Sequence, residues 1–142
     1  VSHNVLYNLF LAIWTDAWEK HGYMVGLGKE FLLTDRWLLS TGVYQDIDDS
    51  KTSNLISATN AVPGLTILLT ASADVARARI EATRKLDNFE KEYFQAHPKL
   101  QDRFIKKLPD FTGEFVIIDT DTLTQEEVAV KIKLALDKYF GK

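Results

Sequence analysis

Three short runs constrain the fold more than anything else in this chain: Glu30–Thr34 (EFLLT), Leu65–Leu69 (LTILL) and Phe115–Ile118 (FVII). Each is continuously apolar instead of alternating, the pattern of a strand buried on both faces. Stretches at helical spacing separate them. The combination predicts an α/β fold, a parallel sheet covered by helices on both faces. The helices expected are Val5–Lys20, Trp37–Gln45, Ala73–Arg84 capped by Ser72, Asp87–Leu108 and Thr124–Phe140. Pro98 is expected to break or kink the fourth near His97. Thr124 with Glu127 has the spacing of a capping box. The polar stretch from Asp46 to Asn60 reads as a loop with at most a short helix. A chain of 142 residues suits a single domain over 1–142.

Composition enters mainly by exclusion. A 46% hydrophobic content with a net charge of -3 is too apolar for a disordered chain. The absence of cysteine excludes disulfides, thiolate metal sites and a cysteine nucleophile, and fits a reducing, cytoplasmic setting. The acidic balance argues against a nucleic-acid partner, and no apolar run approaches the roughly 18 residues of a membrane helix. His3, His21 and His97 are not spaced as metal ligands. His21 suits a helix C-terminus, and His97 a helix end before Pro98. Asp46, Asp48 and Asp49 lack the glycine and glutamate of a calcium loop.

The first helix carries two apolar stripes. Leu6, Leu9, Phe10, Ile13 and Ala17 form one, expected to face the core. Tyr7, Leu11, Trp14 and Trp18 form another, about a third of a turn round. A helix apolar on two sides needs a second partner, and a homodimer through the helix at 5–20 is the expectation.

Ligands of parallel sheets bind beyond the carboxyl ends of the strands. Asp35-Arg36 follows the first strand, and Asp119-Thr120-Asp121 follows the third. An aspartate there suits magnesium, and an arginine suits a forked pair with phosphate. In TDRWLLSTGVYQ, the residues Ser40, Thr41, Tyr44 and Gln45 lie at three- and four-residue spacing, sharing a broad helix face with Arg36. Hydroxyls, an amide and a guanidinium on one face suit a phosphorylated sugar and a base.

At this point the sequence resembles the thymidylate kinase family. TDRWLLSTGVYQ is similar to that family's strand, DR[YH] turn and S-[ST]-x-[AV]-Y-Q helix. PGLTILLTASADVARARIEAT resembles its P-D-L-T strand and E-x-A-x-x-R-I helix. RKLDNFEKEYF resembles its lid, R-x-x-x-D-x-x-E. FVIIDTDTLTQEEVAVKI resembles its last strand and helix, and LYNLFLAIWTDAWEK its dimer-forming helix. The stretches fall in the family's order. The resemblance implies a P-loop NTPase-like fold, ATP and Mg2+ as donor and metal, and a nucleoside monophosphate as acceptor. It implies base contacts from Phe10 and Trp14, an ATP-side position for Arg79, and charge compensation by Arg84 in the lid beside Asp87 and Glu90. Asp35, Arg36 and Arg84 are thus the expected catalytic residues, with Asp35 also the metal ligand.

The departures are specific. The family's G-x-x-x-x-G-K-[ST] phosphate loop and the βαβ unit carrying it are missing from these 142 residues. GYMVGLGK has other spacing and precedes a strand. Trp14 stands where the family has an arginine, Gly64 and Thr70 where it has aspartate, and Trp37 where it has tyrosine or histidine. These residues alone are therefore not expected to transfer a phosphoryl group. The leading expectation is a kinase acting on a pyrimidine deoxynucleoside 5′-monophosphate. The alternative is a non-catalytic relative that binds a nucleotide or a protein.

Overall fold

The computed structural model describes residues 8–9, 12–13, 15–16, 19–20, 33–45, 48–59 and 62–141. They belong to two compact units, residues 1–63 with 107–111 and residues 64–106 with 112–142.

In the first unit, helix α1 (Leu38–Tyr44) packs against a small core. Leu38, Leu55 and Phe111 are buried together, with Trp37, Leu39 and Ile56 against them. Gly42 lets the Phe111 ring approach: a Cβ on Gly42 would sit 2.6 Å from Phe111 Cζ. Helix α2 (Asp49–Thr59) occupies the stretch expected to be mainly loop. Asp48 explains why it forms. Its Oδ1 accepts from Ser50 Oγ at 2.8 Å and from the Lys51 N–H at 2.9 Å, satisfying the first turn. Leu55 and Thr52 are buried on α2.

Two readings of this region need correction. Leu33 and Thr34, the end of the expected first strand, carry no strand geometry, and Leu33 is 95% exposed. The rest of that strand, Glu30–Leu32, lies outside the described residues. In the first helix, Asn8, Leu9, Ala12, Ile13, Thr15, Asp16, Glu19 and Lys20 are helical. Yet Leu9 and Ile13, expected to face the core, are 53% and 47% exposed. The second stripe, Tyr7, Leu11, Trp14 and Trp18, lies outside the described residues, as does His21.

The second unit holds the sheet. Strands β1 (Leu65–Thr70) and β2 (Glu114–Asp119) pair in parallel, from Leu65 opposite Glu114 to Thr70 opposite Asp119. The Glu114 N–H donates to the Gly64 carbonyl and the Thr120 N–H to the Thr70 carbonyl, extending the ladder at both ends. Between the strands run α3 (Ala73–Glu81) and α4 (Asn88–Lys107), and α5 (Gln125–Phe140) follows β2. A parallel pair needs such a crossover. Ser72 caps α3, and Thr124 and Glu127 form the expected capping box of α5. Gly141, at φ 73, ends α5 in the left-handed conformation. Ile118 is buried, whereas Leu69, Phe115 and Ile117 remain exposed.

Pro98 does not break α4. The helix runs through it, and Pro98 sits exposed on its surface. Proline removes one ladder hydrogen bond, a loss a 20-residue helix absorbs here. His97 is accordingly no helix end. It is buried within α4, its ring stacked on Phe94 at 6.1 Å. No helix among the described residues is long and apolar enough to cross a membrane.

Candidate functional site

The chemistry-bearing residues fall into the two units, and each group has its own geometry. In the first unit, Asp35 and Arg36 form an exposed bend directly before α1. Arg36 has φ 51, the left-handed region that costs a residue with a Cβ about 1–2 kcal/mol. Such strain persists where the neighbours fix it. Here the next two residues are anchored, Trp37 against the core and Leu38 inside it. The bend sends the guanidinium back over α1, where Nη1 donates to Tyr44 Oη at 3.3 Å. Arg36 has no ion pair among the described residues. It is an exposed cation with one long hydrogen bond among the described residues, which leaves most of its donors without a partner there.

The polar residues on α1 divide. Tyr44 is exposed beside Arg36, and Ser40 is half-buried. Thr41 is buried with Leu38, Gly42 and Val43, on the core side instead of the shared face expected for it. Gln45 is half-buried at the C-terminal end, and its Oε1 is buried without a hydrogen-bond partner. A buried acceptor left unpaired costs free energy that an incoming donor recovers. Phe10 and Trp14, the expected base contacts, lie outside the described residues.

Asp35 is exposed at the same bend. Among the described residues no group of three or more acidic or histidine side chains could cage a metal. One carboxylate is nevertheless what magnesium takes from a protein when waters and substrate phosphates supply its remaining ligands. Asp35 fits that mode.

In the second unit, Arg79 is committed to the sheet. Its Nη1 donates to Thr120 Oγ1 at 2.9 Å and its Nη2 to the Thr120 carbonyl. Thr120 Oγ1 in turn donates to the Thr70 carbonyl. Asp121 Oδ1 accepts from the Ser72 N–H at 2.6 Å. Arg79 thus ties together the carboxyl ends of β1 and β2.

Arg84 is also engaged. It follows α3, whose last turn closes as the N–H groups of Thr83 and Arg84 both donate to the Ile80 carbonyl. Its guanidinium forks onto Glu90, with Nη1 on Oε2 at 2.7 Å and Nη2 on Oε1. Glu90 Oε2 also accepts from the Asp87 N–H at 3.0 Å, and Asp87 Oδ1 from the Glu90 N–H at 2.7 Å. That reciprocal pair is a capping box at the start of α4. The Arg84 bond, then the Asp87 N–H, hold the Glu90 carboxyl down to about 2. The same bond pushes the Arg84 guanidinium up.

An open hollow of about 610 Å³ lies beside this fork, lined by Arg77, Arg84, Lys85 and Lys91 together with Glu81 and Leu86. The sequence reading named Arg84 but missed Arg77 and Lys91 as its neighbours. The signal was present: cations at 77, 84, 85 and 91 bracket one helix end and the start of the next.

The family model described as thymidylate kinase matches residues 1–132. The chain is similar to the thymidylate kinase of Janthinobacterium sp. (strain Marseille), 31% identical over 97 residues, 64% of this chain and 48% of the relative. It is similar to that of Leifsonia xyli subsp. xyli, 30% identical over 115 residues, 76% of this chain and 54% of the relative. That of Neisseria meningitidis serogroup A is 32% identical over 79 residues, 56% of this chain and 38% of the relative. The chain spans about half the length of the curated relatives it matches. No solved structure matches it.

Proposed function

The chain belongs to the thymidylate kinase family, and from that premise we propose that it supplies the acceptor side of a nucleoside monophosphate kinase. The acceptor is a pyrimidine deoxynucleoside 5′-monophosphate, and ATP is the donor. The observation that carries the reading is Arg36: an exposed guanidinium in a strained bend, bonded to Tyr44 and without a carboxylate partner among the described residues. Such a cation offers a phosphate dianion a forked, charge-assisted partner.

In this mechanism Arg36 holds the acceptor phosphate. Tyr44, Ser40 and the unpaired Gln45 Oε1 orient the sugar and base. Thr41 supports them from the core side. Asp35 would hold Mg2+ through one carboxylate, and the ion would supply charge that neutralises the phosphates. An oxygen of the acceptor phosphate forms a bond to the γ-phosphorus, the bond from that phosphorus to the β–γ bridging oxygen breaks, and ADP leaves. Positioning and electrostatics carry such a step, and no general base is needed.

The donor half is not complete in these 142 residues, which contain no G-x-x-x-x-G-K-[ST] segment. Arg84 offers positive charge, but Glu90 already holds it. The proposal therefore assigns the phosphate cradle to sequence beyond these residues. The same observations favour the second reading, a non-catalytic relative that binds a nucleotide or a protein. The homodimer and the cytoplasmic setting belong to the proposal as well. For the dimer, the support is the exposure of Leu9 and Ile13 on a helical segment.

Calorimetry on Arg36→Ala tests the acceptor assignment. Affinity for the monophosphate is expected to fall about 10- to 150-fold, as for loss of a charged hydrogen-bond pair. Affinity for the corresponding nucleoside should not change. Equal losses for both ligands would sink the phosphate role of Arg36.

A further inference from the structure

The segment from Arg77 to Lys91 carries more positive charge than it neutralises. Around its hollow, Arg77 pairs with Glu81 at 3.0 Å and Arg84 with Glu90. Lys85 and Lys91 line the same hollow and have no ion pair among the described residues. Two ammonium groups left unmatched next to a pre-formed Arg–carboxylate fork would attract a polyanion.

We infer that Glu90 is an internal latch on Arg84: a polyphosphate entering the hollow lands on Lys85 and Lys91 and takes the Arg84 guanidinium from Glu90. The inference rests on the reading that this chain binds phosphate esters, and adds to it how the lid charge is withheld and released. The geometry allows the exchange without unfolding. Glu90 is fixed twice, by the Arg84 fork and by the capping box with Asp87. When Arg84 leaves, the capping box still satisfies the first turn of α4. Arg84 itself is free to move, its side chain being 55% exposed, while Glu90 is 17% exposed and stays on its helix. A triphosphate group presents more charge and more oxygens to the guanidinium than a carboxylate does. Glu90 is therefore a positioning residue that sets the resting place of Arg84, and it has no contact of its own with the ligand.

Glu90→Gln separates the fork from the cap, because glutamine at this position still accepts from the Asp87 N–H. Inorganic tripolyphosphate titrated into the full chain by calorimetry reads the latch without any turnover. Glu90→Gln should bind it about three- to fivefold more tightly than the unsubstituted chain, the upper range for release from an exposed ion pair. Arg84→Gln combined with Glu90→Gln should remove that gain. Protection from amide exchange at residues 87–91 should persist in the Glu90→Gln protein, lowered only by the small contribution of the exposed fork, showing that the cap survives. Binding that is equal or weaker in Glu90→Gln would overturn the latch, as would no detectable binding by either protein. A kinase assay reports on the phosphoryl-transfer reading separately. Tighter tripolyphosphate binding without turnover would leave the latch standing and reject the kinase.

Discussion

Two arginines stand at turns that lead into helices, and the protein keeps them in opposite states. Arg36, before α1, is forced to φ 51 and bonded only to Tyr44 among the described residues. Arg84, before α4, has a relaxed backbone and a forked carboxylate partner. The difference is between two ways of presenting a cation. One holds the cation open by fixing the backbone through its neighbours. The other covers it with a carboxylate that can be exchanged. The first needs a rigid platform. The second needs only a helix start with an acidic residue at its third position.

The platform under Arg36 is where the largest effect is expected. Gly42 faces the Phe111 ring with no room for a Cβ. Gly42→Val should destabilise the first unit by about 1–3 kcal/mol, the usual cost of overpacking. Urea denaturation measures it, and monophosphate binding should weaken in parallel because α1 carries Tyr44. Tripolyphosphate binding at the Arg84 hollow should not follow under native conditions. A Gly42→Val protein as stable as the original would show that Phe111 does not brace α1, and the contrast between the two turns would lose its basis.

The next effect isolates the strain. A residue with a Cβ pays about 1–2 kcal/mol at this φ, while glycine pays about 0.5–1 kcal/mol in lost freedom. Arg36→Gly should therefore be more stable than Arg36→Ala by roughly 0.5–1 kcal/mol, read from denaturation midpoints. Both lose the guanidinium, so the comparison cancels its contacts. Identical midpoints would mean that the bend relaxes in solution and that Arg36 is held open by nothing.

What was legible in the sequence follows from the same physics. β1 and β2 were readable because continuous apolar runs have few alternatives. The capping box of α5 is local, and the spacing of Thr124 and Glu127 alone marks it; that of α4 has the same spacing at Asp87 and Glu90 and was missed. Helix α2 was hidden because its sequence, DSKTSNLISAT, offers little apolar periodicity beyond Leu55 and Ile56. The Asp48 cap was its one available signal. Pro98 misled because a proline announces a lost hydrogen bond, not whether the remaining helix tolerates it. At the site, the Asp35-Arg36 turn was visible as a dipeptide at a strand end. Its left-handed backbone was not, since no residue type there demands it. The burial of Thr41 depends on which side of α1 meets Phe111, a residue 70 positions further along the chain. The Arg84 fork spans a helix start, outside the three- and four-residue spacings that helix reasoning uses.

The smallest effect concerns the covered arginine, and it has a definite sign. Glu90 has its carboxyl lowered from an ordinary 4.5 to about 2, first by Arg84 and then by the Asp87 N–H. A carboxylate with a depressed folded value contributes stability that is fully present above the unfolded value, and loses it as pH falls through the folded one. The window is therefore pH 4.5 down to about 2. Glu90→Gln has no proton to take up there. The stability difference between the unsubstituted protein and Glu90→Gln should be constant above pH 4.5 and should shrink steadily below it. Solvent screening keeps that difference small, because Arg84 is more than half exposed. Amide exchange at the start of α4, followed in both proteins along an acid titration, resolves a change too small for a denaturation curve. Asp48 serves as the internal comparison. Its carboxyl is lowered first by the Lys51 N–H and the Ser50 hydroxyl, with the Lys51 charge a smaller cause and no arginine involved. Added salt should weaken the Glu90 effect more than that of Asp48, since a fork between charges is screened and a cap that rests mainly on hydrogen bonds much less so. Equal salt responses at the two sites would show that Glu90 acts as a plain cap, with Arg84 contributing nothing to its acidity.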